Sequence, residues 1–282
     1  MKPKVIAVVG PTASGKTKLA IDLALQNGGE VVSADSRLVY KGFNIAAAKP
    51  TKEEMQGIPH HMIDIVEPEF DYTAGDYARD AKQCIDDILK RGKTPIVAGG
   101  TGLYFRILLE NYNLPQVKTD YKLREELDSF GKDELLGKLK TLDLITYERL
   151  KDSNKRRIVR ALEMITILEK PLSNLELTKE PEYDVEWKMP EMNSREELYE
   201  RINRRVDEMV KQGIVEETKQ LLKKHGRIPN FICTIGYKEI LAFLDGEWGL
   251  EEAVEKLKQH TRNYAKRQLT WFRRNPNLEI VI

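Results

Sequence analysis

The sequence predicts an α/β protein, a parallel sheet flanked by helices with a small all-helical insertion. Three observations carry that expectation. Short β-branched runs alternate with longer amphipathic stretches near the start of the chain, the pattern of parallel strands covered by helices. A glycine loop, GPTASGKT, joins the first such run to the first amphipathic one. From about residue 113 to 190 the β-branched runs vanish, and charged amphipathic stretches replace them, punctuated by Pro115, Gly131, Gly137, Pro171 and Pro181.

In chain order, VIAVV (5–9) reads as a strand buried on both faces, and residues 16–26 as the helix after it. EVVSAD (30–35) is a second strand, and residues 73–91 form a long helix stopped at Gly92. TPIVAGG (94–100) is a third strand, and TGLYFRILLE opens another helix. Residues 194–224 and 249–274 read as long helices, and LEIVI (278–282) as a closing strand. The expected division is a core of residues 1–112 and 191–282, with residues 113–190 as the insertion.

The chain has 282 residues, 41% hydrophobic and 32% charged, with a formal net charge of +1. That balance gives no global field toward nucleic acid or membrane, so only local charge can direct binding. Cys84 and Cys233 are far apart and form no CxxC, which suits two thiols in a reducing cytosol. The apolar run in MKPKVIAVVG is too short for a secretion signal, and no segment approaches the roughly 20 apolar residues that span a bilayer. A cytoplasmic protein without membrane contact is expected, and nothing demands more than a monomer.

Gly10, Pro11, Thr12, Ala13, Ser14, Gly15, Lys16 and Thr17 fit G-x-x-x-x-G-K-[ST] in full, between a strand and a helix as that motif requires. The expected fold is therefore of the P-loop NTPase-like kind. Successive backbone N–H groups form an anion nest, to which the helix N-terminus adds its positive end. Lys16 can neutralise a terminal phosphate, and the Thr17 hydroxyl can hold Mg²⁺. Phosphate binding alone names no reaction, since kinases, nucleotidases and transferases share this cradle.

Asp35 closes the second strand, at the carboxyl edge where ligands of open α/β sheets sit. A carboxylate there can take a proton from an attacking nucleophile. Asp35 and Ser36 also favour a helix N-cap, and geometry alone does not choose between the two roles.

GPTASGKT, ADSRLVYKGFNIAAAKP, PHHMIDI, VAGGTGLYF, RRIVRALE, TIGYKE and TRNYAKRQLTWFR follow one another along nearly the whole chain. Together they resemble the tRNA dimethylallyltransferase family, which prenylates N6 of the adenosine beside the anticodon. The loop is shared widely, but GGTGLYF and AKRQLTWFR in this order are specific.

The resemblance implies that the loop binds the diphosphate of dimethylallyl diphosphate rather than presenting a γ-phosphate. The allylic carbon–oxygen bond breaks as N6 attacks, and diphosphate leaves. The protein's task is then to stabilise negative charge on the leaving group, which suits fixed N–H groups, Lys16 and Mg²⁺ held through Thr17. Thr12 is implied to contact the same group. Arg205 matches a family arginine that reaches it, although by itself it reads as one more charge on a charged helix. Asp35 is implied to accept the proton from the adenine amine, and Thr101 to contact the adenosine. The base must be extruded from its stack, at a cost of a few kcal/mol.

The resemblance also implies tRNA contacts at Asp35, Ser36, Arg37, Leu38 and Thr101, at Arg124, Arg156, Arg157 and Arg160, and at Cys233, Thr234, Ile235, Gly236, Tyr237 and Lys238. The partner is the anticodon stem-loop. From Lys256 to Arg274 there are seven Lys or Arg and no acidic residue, so Arg262, Lys266 and Arg267 join this set. Leu257, Tyr264 and Trp271 lie on one helical face and read as core anchors rather than stacking platforms. His60-His61 has no accompanying zinc spacing and reads as structural.

The chain departs from the family in places. Ala46-Ala47-Ala48 stands where many members have Gly-Thr-Ala, and Lys151-Asp-Ser-Asn154 where a sequence close to HPND is usual. It ends soon after the basic helix, without the zinc finger of eukaryotic members, which points to a bacterial-type enzyme. Two other classes stay open. A prenyltransferase of free adenine nucleotides would share the loop and Asp35 without needing the insertion or basic clusters. A small-molecule kinase would need a γ-phosphate site and a lid, for which the insertion could stand.

Overall fold

A computed structural model of the chain describes residues 2–113, 115 and 117–281. Its residues fall into two units, Met1–Glu110 with Pro181–Ile282, and Asn111–Glu180.

The first unit begins with β1 (Lys4–Val9), whose Val5 to Val9 are all buried. A strand covered on both faces needs this continuous apolar run rather than alternation. The glycine loop leads into α1 (Lys16–Asn27), and β2 (Glu30–Ser33) follows. β3 (His60–His61) is two residues long and was not legible in the sequence, where a pair of histidines carries no strand signal. α2 (Ala74–Lys90) starts at a capping box in which Thr73 and Asp76 satisfy each other's backbone N–H groups. It buries Tyr77, Ala81, Ile85 and Ile88, one stripe at helical spacing. β4 (Pro95–Gly99) and α3 (Gly102–Leu108) complete this half.

The second unit is helical, with α4 (Tyr121–Ser129), α5 (Lys132–Leu142), α6 (Leu144–Leu150) and α7 (Lys155–Leu168). Leu127, Leu135, Leu139, Ile158, Leu162 and Ile165 form its core. Side chains of Asp120, Asp143 and Asn154 cap α4, α6 and α7, so the unusual Lys151–Asn154 segment still supplies an N-cap. Inside this core's rim, Glu163 is fully buried. It accepts from Arg124 Nε and Arg160 Nη1, both at 2.7 Å, and from the Asp120 N–H at 2.9 Å. An antiparallel bridge between Tyr112 and Thr178 closes the unit.

The chain re-enters the first unit through β5 (Asp184–Pro190), then α8 (Arg195–Lys211), α9 (Ile214–His225), α10 (Pro229–Ile232), α11 (Tyr237–Leu244), α12 (Leu250–Phe272) and β6 (Leu278–Val281). The sheet order is β3-β2-β4-β1-β5-β6, and every neighbouring pair is parallel.

Three expectations are corrected. Residues 184–190, assigned to the insertion, form β5 in register with β1, Ile6 opposite Glu186 and Ala7 opposite Trp187. Charges hid this strand: Glu186 pairs with Lys4 and Lys188 with Glu279, both at 2.9 Å, so it lacks the unbroken apolar run of β1. β2 stops at Ser33, two residues short of Asp35. The stretch 194–224 is two helices, because Gly213 adopts φ 94°, a left-handed conformation that ends one helix and starts the next.

Candidate active site

The phosphate loop leaves β1 at the carboxyl edge of the sheet. Gly10, Ala13 and Gly15 have positive φ (142°, 61° and 92°), so the chain turns repeatedly and aims its N–H groups inward. Ser14 is 2% exposed, and its Oγ is buried without a protein partner. Lys16 donates from Nζ to the Pro11 carbonyl at 2.5 Å. Burial pushes its ammonium down to about 7, Arg205 pushes the same way, and Asp35 partly opposes both.

Arg205 comes from α8, far along the chain, and its Nη1 donates to Thr12 Oγ1 at 3.4 Å. Burial lowers its affinity for a proton, against the pull of Asp35. Two half-buried cations therefore face one anion nest with one nearby carboxylate. In the free protein this arrangement is electrostatically uncomfortable, and a polyanion would relieve it.

Asp35 lies just past β2 and bends back, its Oδ1 accepting the Arg37 N–H at 2.8 Å. This is a local turn rather than a helix cap. Thr101 Oγ1 accepts the Ser36 N–H at 3.1 Å, so the loop after β4 holds the segment that carries Asp35. Tyr264 on α12 lies beside Thr101; burial, with Asp35 adding and Arg37 and the Thr101 hydroxyl opposing, raises its phenol to about 12. Tyr264 thus faces the site, where the helical spacing predicted a core anchor.

The glycines of Gly99-Gly100-Thr101-Gly102 are explained by what covers them. A Cβ on Gly100 would stand 2.1 Å from Gln268 Nε2, and one on Gly102 2.3 Å from the Trp271 indole. Gln268 Oε1 accepts the Thr12 N–H and its Nε2 donates to the Gly100 carbonyl, each at 2.9 Å. AKRQLTWFR and GGTGLYF are therefore two halves of one contact. Gln268 was not singled out from the sequence; the only signal was a neutral amide four residues after Tyr264 within a basic run.

The residues implied to meet RNA behave differently from one another. Lys238, Lys266 and Arg267 are exposed, as is the free thiol of Cys233. Ser36, Leu38, Ile235 and Arg262 are half-buried, Arg262 donating to Asn203 at 2.7 Å. Arg37 donates to the Asn230 carbonyl and to Thr234 Oγ1, at 3.3 and 3.2 Å, and Thr234 is itself buried. Gly236 packs on Ala46, where an added Cβ would come within 2.7 Å of the Ala46 methyl. Tyr237 is fully buried, and its hydroxyl donates to Glu217 Oε1 at 2.7 Å, so its side chain shapes this segment from within. Glu217, also missed, accepts the N–H groups of Ile45 and Ala46. In the second unit Arg156 and Arg157 are exposed. Arg124 and Arg160 are half-buried and each pairs with the buried Glu163, whose charge they balance.

His61 Nε2 pairs with Glu30 Oε2 and His60 Nδ1 with the Ile58 carbonyl, each at 2.8 Å, in keeping with a structural role. Among the described residues no group of three His, Cys, Asp or Glu could hold a metal ion.

A strand–loop–helix cradle at the carboxyl edge of a parallel sheet, served by a half-buried lysine and arginine, defines a phosphate-loop α/β protein. Comparison with known proteins narrows this class. The family profile described as IPP transferase matches residues 38–275, and that described as Isopentenyl transferase matches residues 3–69. The chain is 45% identical to a tRNA dimethylallyltransferase of Caldanaerobacter subterraneus subsp. tengcongensis, over 97% of this chain and 90% of that one. It superposes on the crystal structure of a full-length tRNA isopentenylpyrophosphate transferase from Bacillus halodurans with TM-score 0.75 and 42% identity, covering 99% and 90% of the two chains. A eukaryotic dimethylallyltransferase acting on tRNA gives TM-score 0.81 at 31% identity, covering 96% of this chain and 70% of that one. The chain belongs to the IPP transferase family.

Proposed function

We propose that this protein transfers the dimethylallyl group from dimethylallyl diphosphate to N6 of the adenosine beside the anticodon of tRNA, releasing diphosphate. The observation that carries the reading is the convergence of Lys16, Arg205 and Asp35 on the loop, close enough that each bears on another's charge. Family membership supplies the substrates, since the tRNA dimethylallyltransferases it resembles extend over nearly the whole chain.

In this reading the loop N–H groups, Lys16 and Arg205 grip the diphosphate, and Thr12 is held in place by Arg205. As the bond from the allylic carbon to oxygen lengthens, negative charge grows on the departing oxygens, where these donors are already aimed. N6 of adenine is a poor nucleophile because its lone pair is delocalised into the ring. The Asp35 carboxylate orients the amine by accepting its N–H, then takes the proton after the carbon–nitrogen bond forms. Thr101 positions the adenosine and holds the Asp35 segment.

The residues present suit Mg²⁺ bound together with the substrate. Thr17 is the second residue of α1, Ser14 Oγ is buried and unpartnered in the same loop, and among the described residues no acidic cluster competes. Thr17 would hold the ion alongside diphosphate oxygens, and the ion would add to the neutralisation of the leaving group. Arg37, Lys238, Lys266 and Arg267, with Arg156 and Arg157 of the helical unit, would meet the RNA backbone. We take the enzyme to act as a cytoplasmic monomer; no helix among the described residues is long and apolar enough to cross a membrane.

Prenylation of free adenine nucleotides is the competing reading, and the exposed Arg156 and Arg157 weigh against it, since a nucleotide needs no such surface. The test offers labelled dimethylallyl diphosphate and Mg²⁺ with either an anticodon stem-loop or AMP. Label in the stem-loop is expected. Label in AMP alone would sink the tRNA reading.

A further inference from the structure

We propose that Gln268 is a positioning residue that couples RNA engagement on α12 to the shape of the diphosphate cradle; this rests on the function proposed above. Helix α12 has two faces with different duties. Tyr264, Gln268 and Trp271, at i, i+4 and i+7, point into the site and touch Thr101, Thr12 with Gly100, and Gly102 in turn. Lys266 on the opposite face, Arg267 at the edge of the site face with its guanidinium over the Tyr264 ring, and Arg273 and Arg274 just past the helix end are exposed and available to a phosphate backbone.

Gln268 is 6% exposed, so its two hydrogen bonds are not exchanged freely with water. It takes the Thr12 N–H and gives to the Gly100 carbonyl. Glutamine offers an acceptor and a donor side by side on one planar group: ionised glutamate lacks the donor, lysine and arginine lack the acceptor, and the donor and acceptor of a neutral histidine point apart. The first contact fixes the loop residue whose hydroxyl receives Arg205. The second fixes the peptide next to Thr101, which holds the segment bearing Asp35. One carboxamide thus ties the diphosphate grip to the loop that sets the carboxylate.

The helix itself is tied to α8, the source of Arg205, by Arg262 to Asn203 at 2.7 Å and Lys258 to Asp207 at 2.9 Å. A shift of α12 when RNA engages Lys266 and Arg267 therefore reaches Thr12 directly through Gln268, and Arg205 through α8. Such coupling is reciprocal: whatever RNA does to diphosphate affinity, diphosphate does to RNA affinity.

The experiment measures binding of inorganic pyrophosphate, with Mg²⁺, to wild type, Gln268→Ala and Gln268→Asn, each with and without saturating anticodon stem-loop. Wild type should bind pyrophosphate on the order of tenfold tighter when the stem-loop is present. In Gln268→Ala that factor should fall to about one, while stem-loop affinity measured alone changes less than about threefold. Gln268→Asn, which keeps the amide on a shorter stem, should lose the factor as well and serves if the alanine variant does not fold. A purely bracing role would instead weaken both ligands and leave the factor intact, and that result overturns the proposal. So does a wild type that prenylates the stem-loop yet binds pyrophosphate equally with and without it. A wild type that binds no stem-loop at all overturns the proposed function, and this inference with it.

Discussion

Arg205 Nη1 donates to Thr12 Oγ1 across 3.4 Å, joining a helix of the C-terminal half to the phosphate loop near the N-terminus. The contact turns an arginine that looks surface-exposed in sequence into a half-buried member of the cradle.

Arg205→Ala is therefore expected to lower kcat/KM for prenyl transfer by about 10²- to 10³-fold, the scale of losing one donor to developing charge. Arg205→Lys should recover only part of this, since an ammonium cannot reproduce the planar fork. Steady-state kinetics with varied dimethylallyl diphosphate checks both.

Lys16 predicts a pH dependence. Its folded value of about 7 lies well below its ordinary value of 10.5, with burial the main cause. Between those values the unfolded chain binds the proton and the folded one does not, so stability of the unliganded protein rises with pH across that window. A bound diphosphate needs the ammonium form, so its affinity should fall above about pH 7, by up to about tenfold per unit. Titration calorimetry with dimethylallyl diphosphate from pH 6 to 8.5 checks this, and a flat profile contradicts it. Lys16→Met should abolish that binding yet stabilise the unliganded fold at pH 6 by about 1–3 kcal/mol, read by denaturant melts.

Asp35→Ala should reduce kcat by about 10²- to 10⁴-fold while leaving stem-loop affinity largely intact. Parallel loss of both would show that the carboxylate, through the Arg37 N–H, merely shapes the turn.

Two glycines separate packing from flexibility. Gly102→Ala must displace the Trp271 indole, 2.3 Å from the added methyl, and should cost about 1–3 kcal/mol together with activity. Gly137→Ala lies inside α5 with nothing within 4 Å, and should stabilise by about 0.5–1 kcal/mol. Thermal melts of both variants check the contrast.

The readable parts of the fold are those whose signal is local. VIAVV, the glycine loop and the stripe on α2 each carry their own pattern, so strand, cradle and helix followed from a few residues. β3 and β5 did not, because His60-His61 and Asp184–Pro190 owe their strand state to neighbours, through the Glu30–His61 and Lys4–Glu186 pairs. The same divide runs through the site. Lys16 and Thr17 are written in a motif, whereas the partnership of Thr12, Gln268 and Gly100 joins residues more than a hundred and sixty positions apart in sequence. Arg124 and Arg160 were legible as positive charge, but Glu163, which claims them, lies on the buried side of the helix that bears Arg160.

The most direct measurement follows products in one reaction of the protein with Mg²⁺, dimethylallyl diphosphate and an anticodon stem-loop. The account predicts one diphosphate released for each C5 group found on N6 of the loop adenosine. Phosphate released from added ATP, with the stem-loop unmodified, would contradict it.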